Sequence, residues 1–411
     1  MPQPARRWSR HCGGRAGPLH SFRRTVKYIH NDGCKTDQAT IQTPLIECGE
    51  QLVHPGRCAM KWLALAVVAA SLVSWISAEE KRHDESRKPL VLASQGSFFV
   101  GGESKTISVP GRGPGTAATT GEITINQMYV QYQTPPGAAQ HVRVVMVHGC
   151  CLSSKTWETT PDGRMGWNEY FVRKGRSVYL ADQVSRARSG FDPTVFNGVR
   201  SGAQPVSDLP NILDATHQAA WAIFRFGPGF NKPFEDEQFP VEAADELYKQ
   251  MIPDLNSTLP TANPTWKNMA ALAVQLHGAV LMGHSESGFF PEQSALIDPS
   301  GIRANISIEM PCGNLSDQQI SVLAKIPTLV VFGDHLADVP GIWQSAFEGC
   351  QKFVDRVKSA GGDAEMMYLP KLGLKGNSHM LMQDKNNLQV ADLILAWLDR
   401  HVDSKTAGRT K

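Results

Sequence analysis

The sequence predicts an α/β protein, a mainly parallel sheet flanked by helices, and three observations carry that expectation. Short apolar runs recur at residues 144–147, 178–181, 278–282, 306–310, 328–332 and 366–369. Helix-length amphipathic stretches lie between several of them. One run, 278–282, leads directly into Gly283-His284-Ser285-Glu286-Ser287, a turn of small residues around a serine. A strand apolar on both faces must be covered on both, which is the situation of a parallel sheet with right-handed helical crossovers. Ligands of such sheets sit at the carboxyl ends of the strands.

The chain has 411 residues, 41% of them hydrophobic, enough for one large domain with appendages. Its 41 basic and 39 acidic residues leave a formal charge of +2, which gives nucleic acid no electrostatic footing as a partner. Small-molecule chemistry is the remaining expectation.

Residues 1–30 carry seven Lys or Arg and no Asp or Glu, so 1–59 reads as a disordered or non-native extension. Residues 60–78 read as a signal peptide: Met60-Lys61-Trp62, an apolar run over 63–76, then Ser77-Ala78 before a charged stretch. The run is too short for a stable membrane span. Secretion with cleavage after Ala78 is therefore expected, and the competing reading makes the Arg-rich opening an organelle transit peptide. Asn256, Asn305 and Asn314 stand in glycosylation tripeptides, consistent with a secretory route. Of the eight cysteines, Cys12, Cys34, Cys48 and Cys58 fall in the part removed, and Cys150, Cys151, Cys312 and Cys350 remain.

Residues 79–120, rich in Gly, Pro and Thr toward their end, read as a linker and first loops. Residues 123–133 alternate as a half-buried antiparallel strand would. The main domain is expected over 121–402 with a tail at 403–411. An insertion at about 194–267 breaks the strand–helix rhythm and carries Trp221, Phe224, Phe226, Phe230, Phe234 and Phe239 among many prolines. It reads as a lid, although each aromatic taken singly is as well explained by packing.

The chemistry centres on Ser285. The turn after 278–282 is so sharp that the positions two before and two after the serine must be small, and Gly283 and Ser287 satisfy that. A serine hydroxyl needs a histidine to take its proton and an acid to hold the histidine's tautomer. His379, after the last strand-like run and before a final helix near 391–400, suits the general base. The acid has three candidates: Glu309, at the end of 306–310, and Asp334 and Asp338, after 328–332. Glu309 is a lone carboxylate in an apolar strand end and needs a buried partner. Oxyanion donors are expected from the backbone amide of Glu286 and from the loop His148-Gly149-Cys150-Cys151. Arg186 and Arg188 are expected to organise a neighbouring loop through ion pairs.

These strings, with Trp157-Glu158-Thr159-Thr160-Pro161-Asp162-Gly163-Arg164-Met165-Gly166-Trp167 and Ile308-Glu309-Met310-Pro311, resemble secreted bacterial and fungal esterases of the α/β-hydrolase fold with two adjacent cysteines in the oxyanion loop. The resemblance spans about 121–401. It implies Ser285, Glu309 and His379 as the triad and the Cys150 and Glu286 amides as the oxyanion hole. It also implies a vicinal disulfide between Cys150 and Cys151, strained because adjacent Cα atoms lie only about 3.8 Å apart. Cys312 and Cys350 are candidates for a second bridge, connectivity not being readable from sequence. The relatives carry Gln where this chain has Glu286, and a carboxylate there would oppose an oxyanion. The expected activity is hydrolysis of a small-molecule carboxylic ester through an acyl-enzyme, with no metal and no organic cofactor. The alternatives are lactone or thioester hydrolysis, and noncatalytic ligand binding on the same fold.

Overall fold

The computed structural model describes residues 88–403 apart from 112, 114, 339 and 340. The expected extension, the signal peptide and the first four cysteines lie outside the described residues. The elements in chain order are β1 (Ser94–Val109), β2 (Thr119–Thr134), β3 (Arg143–Val147), α1 (Trp167–Arg173), β4 (Val178–Ala181), α2 (Thr194–Arg200), α3 (His217–Ile223), α4 (Ala244–Tyr248), α5 (Pro264–Gln275), β5 (Ala279–His284), α6 (Phe290–Ile297), β6 (Ile302–Ile308), α7 (Asp317–Leu323), β7 (Thr328–Phe332), α8 (Trp343–Ser359), β8 (Ala364–Tyr368) and α9 (Asn387–Leu398), with short 3-10 turns between.

The eight strands form one sheet in the order β1-β2-β4-β3-β5-β6-β7-β8. From β4 to β8 neighbours run parallel, while β1–β2 and β2–β4 are antiparallel. The apolar runs read from sequence are these parallel strands, and each except the half-buried edge strand β8 is buried on both faces because its side chains alternate between two cores. Val144 and Met146 of β3 and Val280 and Met282 of β5 face one cluster, with Trp167, Tyr170 and Phe171 of α1 and Ile394 and Trp397 of α9. Val145, Val147, Leu281 and Ala279 face the other, with Met269 and Leu272 of α5 and Phe353 and Val354 of α8. Order reverses between β3 and β5: the chain leaves β3 for β4 on one side and returns to β5 on the other. The carboxyl ends of β3 and β5 thus border the crevice where such sheets bind ligands.

Two expectations need correction. Residues 94–109, expected to be linker and loop, are a long strand paired with β2 from Ser94↔Thr134 to Val109↔Thr119. Val100 and Ile107 are its only buried residues, so backbone pairing rather than an apolar pattern holds it. The insertion expected over 194–267 ends earlier, because the Asn263 side chain caps α5 by accepting from the Thr265 amide and Pro264 opens the helix. Trp221, Phe224, Phe226 and Phe239 are buried in the first core cluster, whereas Phe230 is 39% exposed. Most of these aromatics therefore pack the insertion against the domain.

The second core holds an ionisable group the chemistry does not use. Glu292 of α6 is fully buried and accepts from the Ser307 hydroxyl at 2.6 Å, and its other oxygen has no hydrogen-bond partner among the described residues. Burial pushes its carboxyl up to about 7, partly offset by Ser307. The folded state thus keeps a proton that the unfolded chain releases near pH 4.5. The stability this confers is complete below pH 4.5 and is lost as pH rises toward 7. Glu292→Gln should flatten that decline, gaining about 2–3 kcal/mol relative to wild type at pH 8 over its difference at pH 4. Urea midpoints at the two pH values measure it, and an equal difference at both would contradict a neutral buried Glu292.

Candidate active site

The crevice at the ends of β3 and β5 gathers the residues singled out from sequence. β5 ends at His284, and Ser285 follows at φ 57°, a left-handed conformation that costs a non-glycine residue about 1–2 kcal/mol. The turn leaves no room beside it: a Cβ on Gly283 would stand 1.9 Å from the Ser287 carbonyl oxygen. Ser287, where glycine is usual, earns its place through its hydroxyl, which donates to the Val147 carbonyl at 2.9 Å and accepts from the His284 amide at 3.1 Å. The elbow is thereby tied to the end of β3. Ser285 is partly exposed.

The loop after β3 packs directly on this serine. A Cβ on Gly149 would meet the Ser285 Cβ at 2.7 Å, so only glycine allows the approach. The buried His148 holds the loop: its Nε2 accepts from the Gln183 amide at 3.2 Å, which places the proton on Nδ1, donating to the Gly149 carbonyl at 2.9 Å. Burial, assisted by Arg186, lowers this imidazole to about 4, so it is neutral at pH 7. Among the described residues no group accepts from the Cys150 amide. The Glu286 amide lies in the first turn of a 3-10 helix, where N–H groups have no intrahelical partner.

His379 is fully buried in the loop after β8. Its amide donates to the Phe224 carbonyl at 2.9 Å, and its ring lies 4.3 Å from that of Trp343 and 5.5 Å from that of Phe224. The preceding Ser378 is held by Asp384, which accepts from its hydroxyl at 2.6 Å and its amide at 3.0 Å. His379 Nδ1 meets Glu309 Oε2 at 3.2 Å. That contact puts the ring proton on Nδ1 and leaves Nε2 as a lone-pair acceptor. Nε2 is buried and has no hydrogen-bond partner among the described residues, and no hydrogen bond joins it to Ser285. Such contacts are often long without substrate. Burial lowers the imidazole's pKa, against the pull of Glu309.

Of the three candidate acids, Glu309 is the one that touches His379. It lies just past β6, at φ 54°, and is fully buried. Its carboxylate also accepts two bonds from Arg225, at 2.9 and 2.8 Å, and one from the Gly333 amide. Burial alone would raise Glu309, but Arg225 and His379 hold it at about 2. Asp334 instead accepts from the amides of His335 and Gly376, ordering the turn after β7. Asp338 pairs with His335 at 2.8 Å on the surface. Sequence reasoning missed Arg225. Its signal was an arginine among the core aromatics 221–226, since a buried guanidinium requires a buried carboxylate.

Glu286 also differs from expectation. Its oxygens accept from Asn256 at 2.5 Å and from Gln183 and Arg186 at 3.2 Å, and Arg186 pairs with Asp254 at 2.6 Å. Burial raises the Glu286 carboxyl; Arg186 opposes this and Asp254 adds to it. Asp254, despite burial, is held low by Arg186. The Arg186 guanidinium thus stands against the carboxylate expected to oppose an oxyanion and offsets part of its charge. Arg188 pairs with Asp182 at 2.6 Å.

The cysteines behave differently in their two pairs. Cys312 and Cys350 form a disulfide joining the segment after Glu309 to α8, and closing 38 residues contributes about 4 kcal/mol in the chain-entropy account. Cys150 and Cys151 do not form the expected bridge: both are free, with sulfurs 2.9 Å apart rather than about 2.05 Å. Two glycosylation expectations also meet the fold. Asn305 is fully buried in β6, where no glycan fits, and Asn256 spends its amide on Glu286. Asn314 is exposed.

Among the described residues no helix is long and apolar enough to cross a membrane. No protein-family model matches the chain. It is similar to a bacterial esterase of known structure, with 49% identical residues, 76% of this chain and 98% of that one covered, and a TM-score of 0.73. It is also similar to the probable secreted lipase phiG of Fungal sp. (strain ATCC 74256), 23% identical over an alignment of 389 residues that covers 82% of this chain and 98% of that protein. With half of its aligned residues identical along nearly the whole of that bacterial esterase, the chain belongs to the esterase and lipase family of the α/β-hydrolase fold.

Proposed function

We propose that the protein is a secreted serine hydrolase that cleaves carboxylic esters through an acyl-enzyme. The observation that carries this reading is His379, whose Nδ1 is engaged by Glu309 while its buried Nε2 has no partner among the described residues, beside an elbow serine at φ 57°. Ser285 Oγ attacks the ester carbonyl carbon as His379 Nε2 takes its proton, and the carbonyl oxygen becomes an oxyanion facing the amides of Cys150 and Glu286. Collapse breaks the C–O bond, and the imidazolium protonates the departing alcohol. Water, deprotonated by His379, then releases the acid and restores Ser285. Glu309 orients the ring and stabilises the imidazolium that forms in each half-reaction.

Secretion is supported by the signal-peptide layout of residues 60–78 and by the name of the fungal relative. Asn314 is the glycosylation position that this reading retains. The insertion, packed over the Cys150–Cys151 loop through the Ile252 amide and the Cys151 carbonyl at 2.9 Å, would shape the acyl and alcohol pockets.

One experiment tests the reading. Protein secreted by a eukaryotic host, deglycosylated and treated with a fluorophosphonate, should show by intact-mass spectrometry one adduct, on Ser285, and a mature chain beginning at Glu79. A folded protein that takes no label refutes the serine mechanism. A labelled chain that starts well before Met60 refutes the secretory processing.

A further inference from the structure

We infer that Arg225, carried by the inserted segment, is a positioning residue of the hydrolytic site: its guanidinium fork fixes the plane of Glu309 and, by sharing that carboxylate with His379, sets the basicity of the imidazole. The inference rests on the proposed roles of Ser285, His379 and Glu309.

Arg225 is fully buried. Its Nη1 and Nη2 donate to the two Glu309 oxygens, its Nε donates to the Asp334 carbonyl at 2.9 Å, and its guanidinium carbon lies 5.3 Å from the centre of the Trp343 ring. Every side of the fork is thus held. The residue before it, Phe224, accepts from the His379 amide and stacks its ring on the imidazole, with 13° between the planes. Two consecutive residues of the insertion therefore grip both the base and the acid. Here Glu309 Oε2 accepts from Arg225 at 2.9 Å and faces His379 Nδ1 at 3.2 Å.

Electrostatics gives this sharing a consequence. A lone carboxylate would attract a nascent imidazolium with a full charge, whereas one already paired to a guanidinium presents a nearly neutral partner. The imidazole is then less basic and stays unprotonated, ready to accept the serine proton, at lower pH. The groups facing His379 are Glu309 after β6, Arg225 on the insertion, and His284 at the end of β5, whose Nε2 meets the His379 carbonyl at 2.9 Å. Asp384 acts through Ser378, and Asp334 turns its side chain to Gly376. His284 is fully buried and held well below its ordinary pKa, first by burial, so it brings no charge at neutral pH. Arg225 is the cation in this set that opposes protonation of His379.

The test is the second-order rate constant of fluorophosphonate labelling against pH, for wild type, Arg225→Gln and Arg225→Lys. The rate constant is read only over the pH range in which the far-UV circular dichroism of each variant shows it fully folded, so that unfolding does not shift its midpoint. Arg225→Gln keeps a donor but removes the charge, and its midpoint should rise by about one pH unit. Arg225→Lys keeps the charge but loses the fork, so its midpoint should stay in place while its plateau falls about tenfold. An unmoved midpoint in folded Arg225→Gln overturns the inference. If that variant does not fold, Arg225→Lys decides alone, and a plateau within twofold of wild type overturns it. Wild type that takes no label at all refutes the underlying serine mechanism instead, so the two failures are distinguishable.

Discussion

Replacing Ser285 by alanine is expected to lower kcat on an activated aryl ester by about 10⁵- to 10⁶-fold, with little effect on folding. On the proposed mechanism the substitution deletes the one atom that forms the acyl bond and leaves the surrounding geometry intact. The alanine Cβ still meets the close approach of Gly149, and the left-handed backbone at 285 is no more strained for alanine than for serine. No hydrogen bond of Ser285 Oγ to a described residue is lost, so stability should change by less than about 0.5 kcal/mol. What remains is catalysis by the oxyanion amides acting on attack by water. Initial rates with a chromogenic acetate, checked against a thermal melt, measure both effects. Activity within tenfold of wild type in a folded variant would place the nucleophile elsewhere.

Glu309→Gln should lower kcat by about 10⁴-fold, because an amide holds the imidazole without stabilising its charged form and permits the wrong tautomer. It should also destabilise the fold by about 3–5 kcal/mol, since Arg225 loses its buried counter-charge. The pH dependence separates the two origins. Glu309 is held at about 2, below its ordinary value of 4.5, by Arg225 and His379 acting against the burial that would raise it. A depressed carboxylate contributes stability that is present above pH 4.5 and is lost as pH falls toward 2. The gap between wild type and variant should therefore be full at pH 7 and close on acidification, as urea midpoints at pH 7 and pH 3 would show. Equal stability at pH 7 would mean that the pair contributes nothing. Asp338→Asn, which alters only the surface pair with His335, serves as the control that keeps activity.

The two cases differ in how far they were legible beforehand. The elbow is a local steric problem, and Gly283, Ser285 and Ser287 announce it within five residues. The acid is a question of distance between segments far apart in the chain. Physical reading of the sequence left Glu309, Asp334 and Asp338 open, and the resemblance to known esterases favoured Glu309. A buried Glu309 requires a partner, and the fold supplies two, His379 and Arg225. Glu286 shows the same limit: its neighbour Ser285 is visible in the sequence, while Asp254 and Arg186, which decide its charge, come from distant loops.

What the sequence determined by itself is the sheet and its polarity. A strand covered on both faces is apolar at most positions, and two of the strands, Val178–Ala181 and Thr328–Phe332, coincide with their apolar runs to the residue. Tertiary structure alone decided the rest. β1 is held by pairing with β2 rather than by apolar side chains, so no periodicity marks it. Asn305 carries an acceptor tripeptide, yet it lies in the middle of the sheet, because a three-residue motif contains no information about burial. The adjacent thiols, the Arg186 contact of Glu286 and the Arg225 fork all depend on which groups the fold brings within about 3 Å, and charge in a protein interior is set by such neighbours rather than by residue type.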